Sequence, residues 1–418
     1  MNKKWQICEV DKEKVEKLKN KYGISELLAT ILVNKNITTQ KEIEEFLNPT
    51  RNDFFDPFLI NDMDIAVERI RKAIETQEKV IIYGDYDVDG ITSITVLKSF
   101  LKDVGLDVDY YIPNRLEEGY GLNKNAIDEI AKNKYTLMIT VDCGISAIEE
   151  VDYANSLGIE VIVTDHHEPG EELPKALAVI DNKRKDSKYP FRELAGVGVA
   201  FKVSQALAQS MNVKEEEYLK YLDIVCVGTI SDIVPLISEN RVITKLGIKL
   251  LKQTRNTGLK AIINSSGYSQ INSTTISFGV APRINACGRM GKAEQALKLL
   301  LSKDIYEVNK LTQELNNYNR ERQEIEKEIF ESVLNKIEQN NLDKNRTIVV
   351  GGEGWHHGVI GIVSSKITEK YFKPSILLSF EEDGTGKGSG RSIPGFDLHE
   401  ALMKCENCLE KFGGHSMA

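Results

Sequence analysis

Long apolar runs are missing from this 418-residue chain, and none approaches the roughly 20 residues a helix needs to cross a bilayer. An excess of basic charge is missing too. The 54 lysines and arginines stand against 63 acids, a formal net charge of −9. That excludes the broad cationic surface of a non-specific nucleic-acid binder, although basic residues can still line one groove. Cysteine is sparse, six in all, and only Cys405 and Cys408 stand at metal or redox spacing. With no second pair nearby they read as two thiols on a helix. No spacing suggests disulfides, which points to a reducing cytoplasm. Met1 to Val10 turns charged before an apolar stretch builds, so no signal peptide is expected.

The length allows two or three domains with full cores. Residues 1–78 read as a helical flank. Val15, Leu18, Leu27, Leu28 and Ile31 recur at near-helical spacing, Ile43, Phe46 and Leu47 form a second stripe, and residues 65–74 make an amphipathic helix. From residue 79 apolar β-branched runs alternate with helical stretches such as 92–104 and 145–157. Four runs, 80–84, 137–141, 161–164 and 224–231, read as strands, and each is followed by an acid: Asp85, Asp142, Asp165 and Asp232. Such alternation predicts an α/β fold with a parallel sheet, and ligands then bind beyond the carboxyl ends of its strands. Residues 302–339 lack Gly and Pro and carry one apolar seam through Val308, Leu311, Leu315, Tyr318, Ile325, Ile329 and Val333. The spacing predicts a rigid connector helix of roughly 55 Å. Beyond it, 347–350 and 375–379 read as strands of a second, Gly-rich α/β unit. The expected division is 1–78, 79–301, 302–342 and 343–418, and the last unit reads as cut short.

Chemistry concentrates at the predicted sheet edge. Asp85-Tyr86-Asp87-Val88-Asp89-Gly90 opens like an EF-hand, but the twelfth position holds Val96 rather than a bidentate Glu. Asp87 to Thr92 also resembles the nucleophile loop of haloacid-dehalogenase phosphatases, which does not account for His166 and His167 on another strand. The remaining reading is a two-metal site. Two divalent ions about 3.5–4 Å apart can activate water and hold both oxygens of a phosphoryl displacement. Asp87, Asp89, Asp142, Asp232 and His166 supply the ligands, with Asp142 bridging. Mostly oxygen donors with one imidazole favour Mn²⁺ or Mg²⁺, and His167 is placed for phosphate. Candidate phosphate grips are Asn114 and Arg115, and Arg283, Asn285 and Arg289 in a Gly-rich loop. In the last unit Trp355, His356 and His357, with Ser389 and Arg391, suggest a second phosphate surface on which Trp355 stacks a base. Gly196-Val197-Gly198 begins a dinucleotide fingerprint that Phe201 breaks.

Taken in order, Gly84 to Gly90, Asn114 to Leu122, Thr140 to Gly144, Thr164 to His167 and Gly228 to Leu236 resemble the DHH phosphoesterase family, in its branch of single-strand-specific DNA exonucleases. Trp355 to Gly358, Gly388 to Ser392 and Gly413-Gly414-His415 are similar to its companion DHHA1 domain. The resemblance implies a parallel-sheet DHH domain joined by a long helix to a smaller DHHA1 domain. It implies two Mn²⁺ or Mg²⁺ ions on Asp87, Asp89, Asp142, His166 and Asp232, with Asp85 as ligand or support. His415 enters the substrate surface on the same ground. Mononucleotides would leave the 5′ end of single-stranded DNA in recombination and repair. A helicase and a single-strand-binding protein would be partners of a cytoplasmic monomer with no membrane attachment. Such proteins usually continue into an OB-fold, of which this sequence holds nothing. The competing readings are a phosphodiesterase for short oligonucleotides or cyclic dinucleotides, and a non-catalytic replication scaffold.

Overall fold

The structure, a computed structural model, describes residues 8–414 and 416–418. Three short helices open it, α1 (Lys12–Tyr22), α2 (Glu26–Asn34) and α3 (Gln40–Leu47). Each begins at a polar cap: Asp11, Ser25 and Thr39 accept backbone N–H groups of the first turn. Their apolar stripes close a small core of Val15, Leu18, Ala29, Leu32 and Ile43. Helix α4 (Met63–Thr76) leaves that cluster and buries Met63, Ala66, Val67 and Ile70 in the main core.

The main sheet follows as β1 (Val80–Gly84), α5 (Val88–Asp103), β2 (Asp109–Tyr111), α6 (Lys124–Lys132), β3 (Leu137–Val141), α7 (Ile148–Ser156), β4 (Glu160–Thr164) and β5 (Ala178–Ile180). All its pairings are parallel, in the order β2-β1-β3-β4-β5. Every residue of β1 and β3 is buried, the signature of a sheet covered on both faces. Alternate residues feed two cores. Val80, Ile82, Leu137 and Ile139 face α5, whereas Ile81, Tyr83 and Met138 face α6 and α7. From β1 the chain steps to β2 on one side and crosses to β3 on the other. The crevice between the ends of β1 and β3 is therefore the topological switch point. Three-residue β2 and β5 are too short for a period-2 pattern to reveal.

The second half of the larger unit is helical: α8 (Gly196–Ser210), α9 (Glu216–Leu219), α10 (Leu222–Ser231), α11 (Ser238–Leu251), α12 (Thr257–Ser265), α13 (Ala281–Arg289) and α14 (Ala293–Leu301). One expectation is corrected here. The run 224–231 is not a strand but most of α10, buried among α5, α8 and α11. A helix apolar on every side shows no periodicity and cannot be told from a buried strand by pattern alone. Asp232 thus reaches the sheet edge from a helix C-terminus.

Helix α15 (Ile305–Gln339) runs 35 residues, about 52 Å. It is a connector packed at both ends. Val308, Leu311 and Leu315 belong to the main core, and Ile329, Val333 and Ile337 to that of the second unit. There β6 (Ile348–Glu353), α16 (His357–Tyr371), β7 (Ser375–Phe380), β8 (Gly386–Arg391) and α17 (Leu398–Met403) complete the chain. Strands β6 and β7 pair parallel and β7 and β8 antiparallel. The Gly-Lys-Gly-Ser-Gly-Arg segment is the edge strand β8, and the Gly-rich loop expected to carry Arg283, Asn285 and Arg289 is instead helix α13. Cys405 and Cys408 are exposed free thiols, Cys405 before and Cys408 at the end of a three-residue 3₁₀ turn rather than on an α-helix. No helix among the described residues is long and apolar enough to cross a membrane.

Candidate active site

The parallel strands deliver acids to one edge: Asp85 after β1, Asp142 after β3 and Asp165 after β4. Asp181 after β5 is a fourth, hidden from sequence by the brevity of its strand. Asp87 caps α5, its Oδ1 accepting the N–H groups of Asp89 (2.8 Å) and Gly90 (3.1 Å). Asp89, in the first turn, receives N–H donors from the start of α8: Gly196 at 2.6 Å and Val197 at 2.9 Å. The discounted Gly196-Val197-Gly198 segment does cradle an anion at a helix N-terminus, and that anion is the Asp89 carboxylate. A Cβ at residue 196 would lie 2.7 Å from Asp142 Cβ and Oδ1, so only glycine lets α8 meet both acids.

His166 stands among these acids. Its Nε2 lies 3.1 Å from Asp142 Oδ1 and 3.7 Å from Asp89 Oδ2, and its Nδ1 lies 3.7 Å from Asp232 Oδ2. The imidazole is buried, yet neither nitrogen makes a hydrogen bond, and neither does Asp85 Oδ1. Buried polar atoms without partners are costly and rare, and a divalent cation satisfies this donor set. Ligand atoms of Asp89, His166 and Asp232 lie within 4.8 Å of one another, as do those of Asp85, Asp87 and Asp142. Asp142 also groups with His166 and His167, which puts it beside both clusters.

Without a cation the cluster is strained electrostatically. Burial, then the Asp232 charge, pushes Asp89 up to about 7, and burial with Asp87 pushes Asp232 up to about 7. Asp85 and Asp142 are raised well above the carboxylate range by burial and by neighbouring acids. Burial lowers His166. Asp165 differs in kind: despite its burial, the hydrogen bond from His167 holds it low. Its Oδ1 accepts from His167 Nδ1 at 2.7 Å and from the N–H groups of His166 (2.7 Å) and His167 (3.2 Å), while Oδ2 accepts from Ile145 N–H at 2.9 Å. Burial works against a charged His167, but the Asp165 bond prevails and raises it to about 9.

Cations gather beside the acids from both units. Arg289, at the end of α13, donates to Gly358 O at the start of α16 (3.0 Å). Burial, then the charges of Arg115, Arg322 and Arg391, lowers its guanidinium to about 10. Arg115 lies over the Tyr86 ring at 5.0 Å. Arg391, lowered by burial and by Arg115, reaches Ser389 Oγ at 3.2 Å. Asn285 accepts from Val88 N–H at 3.3 Å, seating α13 on the Asp87 turn.

Other candidates lie elsewhere or serve the framework. Arg283 points to α12 and α15, bonding Asn316 Oδ1 (2.7 Å) and the carbonyls of Gly279 and Ser265. Asn114 organises its own loop, accepting from Leu116 N–H at 3.0 Å. Trp355 is packed in the second core against Gly352, with no free face for a base. His356 caps α16 through Gly358 N–H (3.1 Å), and His357 pairs with Glu381 (2.5 Å). His415 lies outside the described residues. Tyr120, within the Asn114 to Leu122 stretch, lies beside the cluster although the sequence did not single it out: its hydroxyl is 3.5 Å from His167 Nδ1.

Family models agree with this geometry. Residues 79–229 match the DHH family N-terminal domain, and residues 344–418 match the DHHA1 domain. The single-stranded-DNA-specific exonuclease RecJ of Dickeya dadantii is 35% identical over 94% of this chain and 71% of its own length. The chain belongs to the RecJ family. The RecJ of Bacillus subtilis is 43% identical over 99% of this chain, which spans 52% of that protein, about half its length. Among solved structures, RecJ of Thermus thermophilus in complex with Mn²⁺ superposes with a TM-score of 0.83 at 30% identity, covering 97% of this chain and 58% of that one.

Proposed function

We propose that the chain is a two-metal phosphodiesterase acting on single-stranded DNA, releasing mononucleotides from the 5′ end in recombination and repair. One observation carries this reading. Buried ligand atoms of His166 and Asp85 without partners sit among four further carboxylates, next to arginines drawn from both units. Asp89, His166 and Asp232 would hold one ion and Asp85 and Asp87 the other, with Asp142 between them. Oxygen donors with one imidazole suit Mn²⁺ or Mg²⁺, and a RecJ relative has been solved with each. When bound, such a pair supplies a nucleophile from water and holds the attacking and leaving oxygens.

The chain's own residues do the rest. Arg289, Arg115 and Arg391, with Ser389, grip phosphate oxygens. Asp165 fixes both histidines, leaving the His166 nitrogens free for an ion and keeping His167 cationic toward the phosphate. Residues 79–301 carry the chemistry, 302–342 set the spacing, and 343–418 hold the strand end, with 1–78 as a structural flank. A helicase and a single-strand-binding protein would supply the strand to a cytoplasmic monomer.

The test is Mn²⁺-dependent hydrolysis of a labelled single strand, its duplex and a dinucleotide. Mononucleotides should leave the single strand progressively from its 5′ end. Preference for the dinucleotide, or cleavage from the 3′ end, would overturn the reading. Anomalous scattering from a Mn²⁺-soaked crystal should place two ions among the six ligands.

A further inference from the structure

Tyr120 occupies a loop, residues 114–122, that is tied on both sides. Before it, Glu118 accepts from Tyr111 O–H (2.7 Å), Asn123 Nδ2 (2.9 Å) and Asn114 N–H (2.6 Å). After it, the Gly121 carbonyl accepts from Tyr83 O–H at 3.0 Å. Between the ties Gly119 and Gly121 adopt φ values of 85° and 83°, and a Cβ at either would meet nothing within 4 Å. Glycine is required there for backbone shape rather than for space. The shape leaves Tyr120 half exposed, at 53%, with its ring edge-on to His167 at 6.0 Å between centroids and its hydroxyl at the site.

That hydroxyl lies 3.5 Å from the Asp142 carbonyl and 3.5 Å from His167 Nδ1. The nitrogen does not accept from it, because its own proton is committed to Asp165 Oδ1 at 2.7 Å. The phenolic proton is left with one long contact at the outer limit of a hydrogen bond. A tyrosine with a structural role normally buries its ring and satisfies its hydroxyl. Tyr120 does the reverse, beside the acids that would hold the ions.

We infer that Tyr120 contacts the substrate, a role that rests on the phosphodiesterase reading above: its hydroxyl donates to a non-bridging oxygen of the scissile phosphodiester as charge builds on it in the transition state, and its ring supports the adjoining sugar or base. The exchange costs the free protein little, since only a long contact is surrendered. Because Glu118 and Gly121 fix the loop, the donor is in place before the strand arrives.

The experiment compares Tyr120→Phe and Tyr120→Ala with the unaltered chain. Turnover is read on a single strand and on bis(p-nitrophenyl) phosphate with Mn²⁺, and strand affinity is read with Ca²⁺ in place of Mn²⁺. Mn²⁺ binding is followed by calorimetry. Tyr120→Phe should lower kcat on both substrates by about 10- to 100-fold, the range for losing a hydrogen bond to a charged oxygen. KM and strand affinity should stay within about twofold of the unaltered chain, as expected when only a transition-state contact is lost. Tyr120→Ala should in addition weaken strand affinity by about 5-fold or more. Mn²⁺ affinity should hold in both. An unchanged kcat for Tyr120→Phe, or a loss that tracks Mn²⁺ affinity, would overturn the contact. Failure of the unaltered chain on DNA alone would instead count against the strand reading, and the small diester would still decide the hydroxyl's role.

Discussion

Asp89 and Gly196 are 107 residues apart, and the Gly196 N–H donates to the Asp89 carboxylate at 2.6 Å. The bond joins the first turn of α5 to the start of α8 and leaves no room between them. A methyl group at residue 196 would sit 2.7 Å from Asp142 Oδ1 and push against that carboxylate the same turn of backbone that holds Asp89. Gly196→Ala should therefore weaken Mn²⁺ binding by about 10-fold or more in calorimetry, and cost about 1–3 kcal/mol of stability through overpacking. Unchanged metal affinity would separate α8 from the ligand geometry.

Asp142 stands in the left-handed region, φ 59°, among other buried acids. Asparagine tolerates that backbone, whereas alanine adds strain. Asp142→Asn thus isolates the charge. It should abolish hydrolysis and the second Mn²⁺ site, yet raise the melting temperature of the metal-free protein. Relief of like-charge crowding is worth about 1–2 kcal/mol. A variant that melts lower without metal, or retains both ions, would contradict the bridging placement.

Much of this site was legible because the fold class dictates where ligands gather. Val80 to Gly84 and Leu137 to Val141 read as buried parallel strands, so Asp85 and Asp142 had to share an edge. His166 followed from its place after β4. Asp232 does lie beside His166, but not at a strand end as its sequence suggested, since α10 is apolar all round and its pattern carries no period. The exchange between α8 and Asp89 was not legible, because no local spacing reveals a bond across 107 residues. Trp355 and Arg283 show the converse error. Both have the chemistry of a binding residue, and tertiary packing directs one into a core and the other to Asn316.

Away from the site, Lys202 and Glu239 form a completely buried ion pair at 2.9 Å. Lys202 also donates to Phe55 O (2.6 Å), and Glu239 accepts from Phe55 N–H (3.0 Å) and Tyr189 O–H. The pair fastens the segment before α4 onto α8. Lys202→Met strands the Glu239 charge and should cost about 3–5 kcal/mol in denaturant unfolding. Lys202→Met with Glu239→Leu should recover part of that loss, because no buried charge then remains unpaired. A single variant within about 0.5 kcal/mol of the unaltered chain would mean the pair is not desolvated in solution.

The acid cluster also fixes how stability responds to pH. Asp89 and Asp232 titrate near 7 in the folded, metal-free protein and near 3.9 when unfolded. Between those values the folded state holds protons that the unfolded state has released. Their contribution is therefore present below about pH 4 and lost as pH rises through about 7. His167, raised to about 9 from near 6.5, acts in the same direction at higher pH. The melting temperature in EDTA should consequently fall from pH 5 to pH 8. Saturating Mn²⁺ should reverse the trend, because an ion displaces those protons and binds more tightly as pH rises. Calorimetry in buffers of different ionisation enthalpy should register the protons released. An EDTA curve that rises across the same interval would mean the acids already carry their full charge unaided, and the site would not be built around a cation.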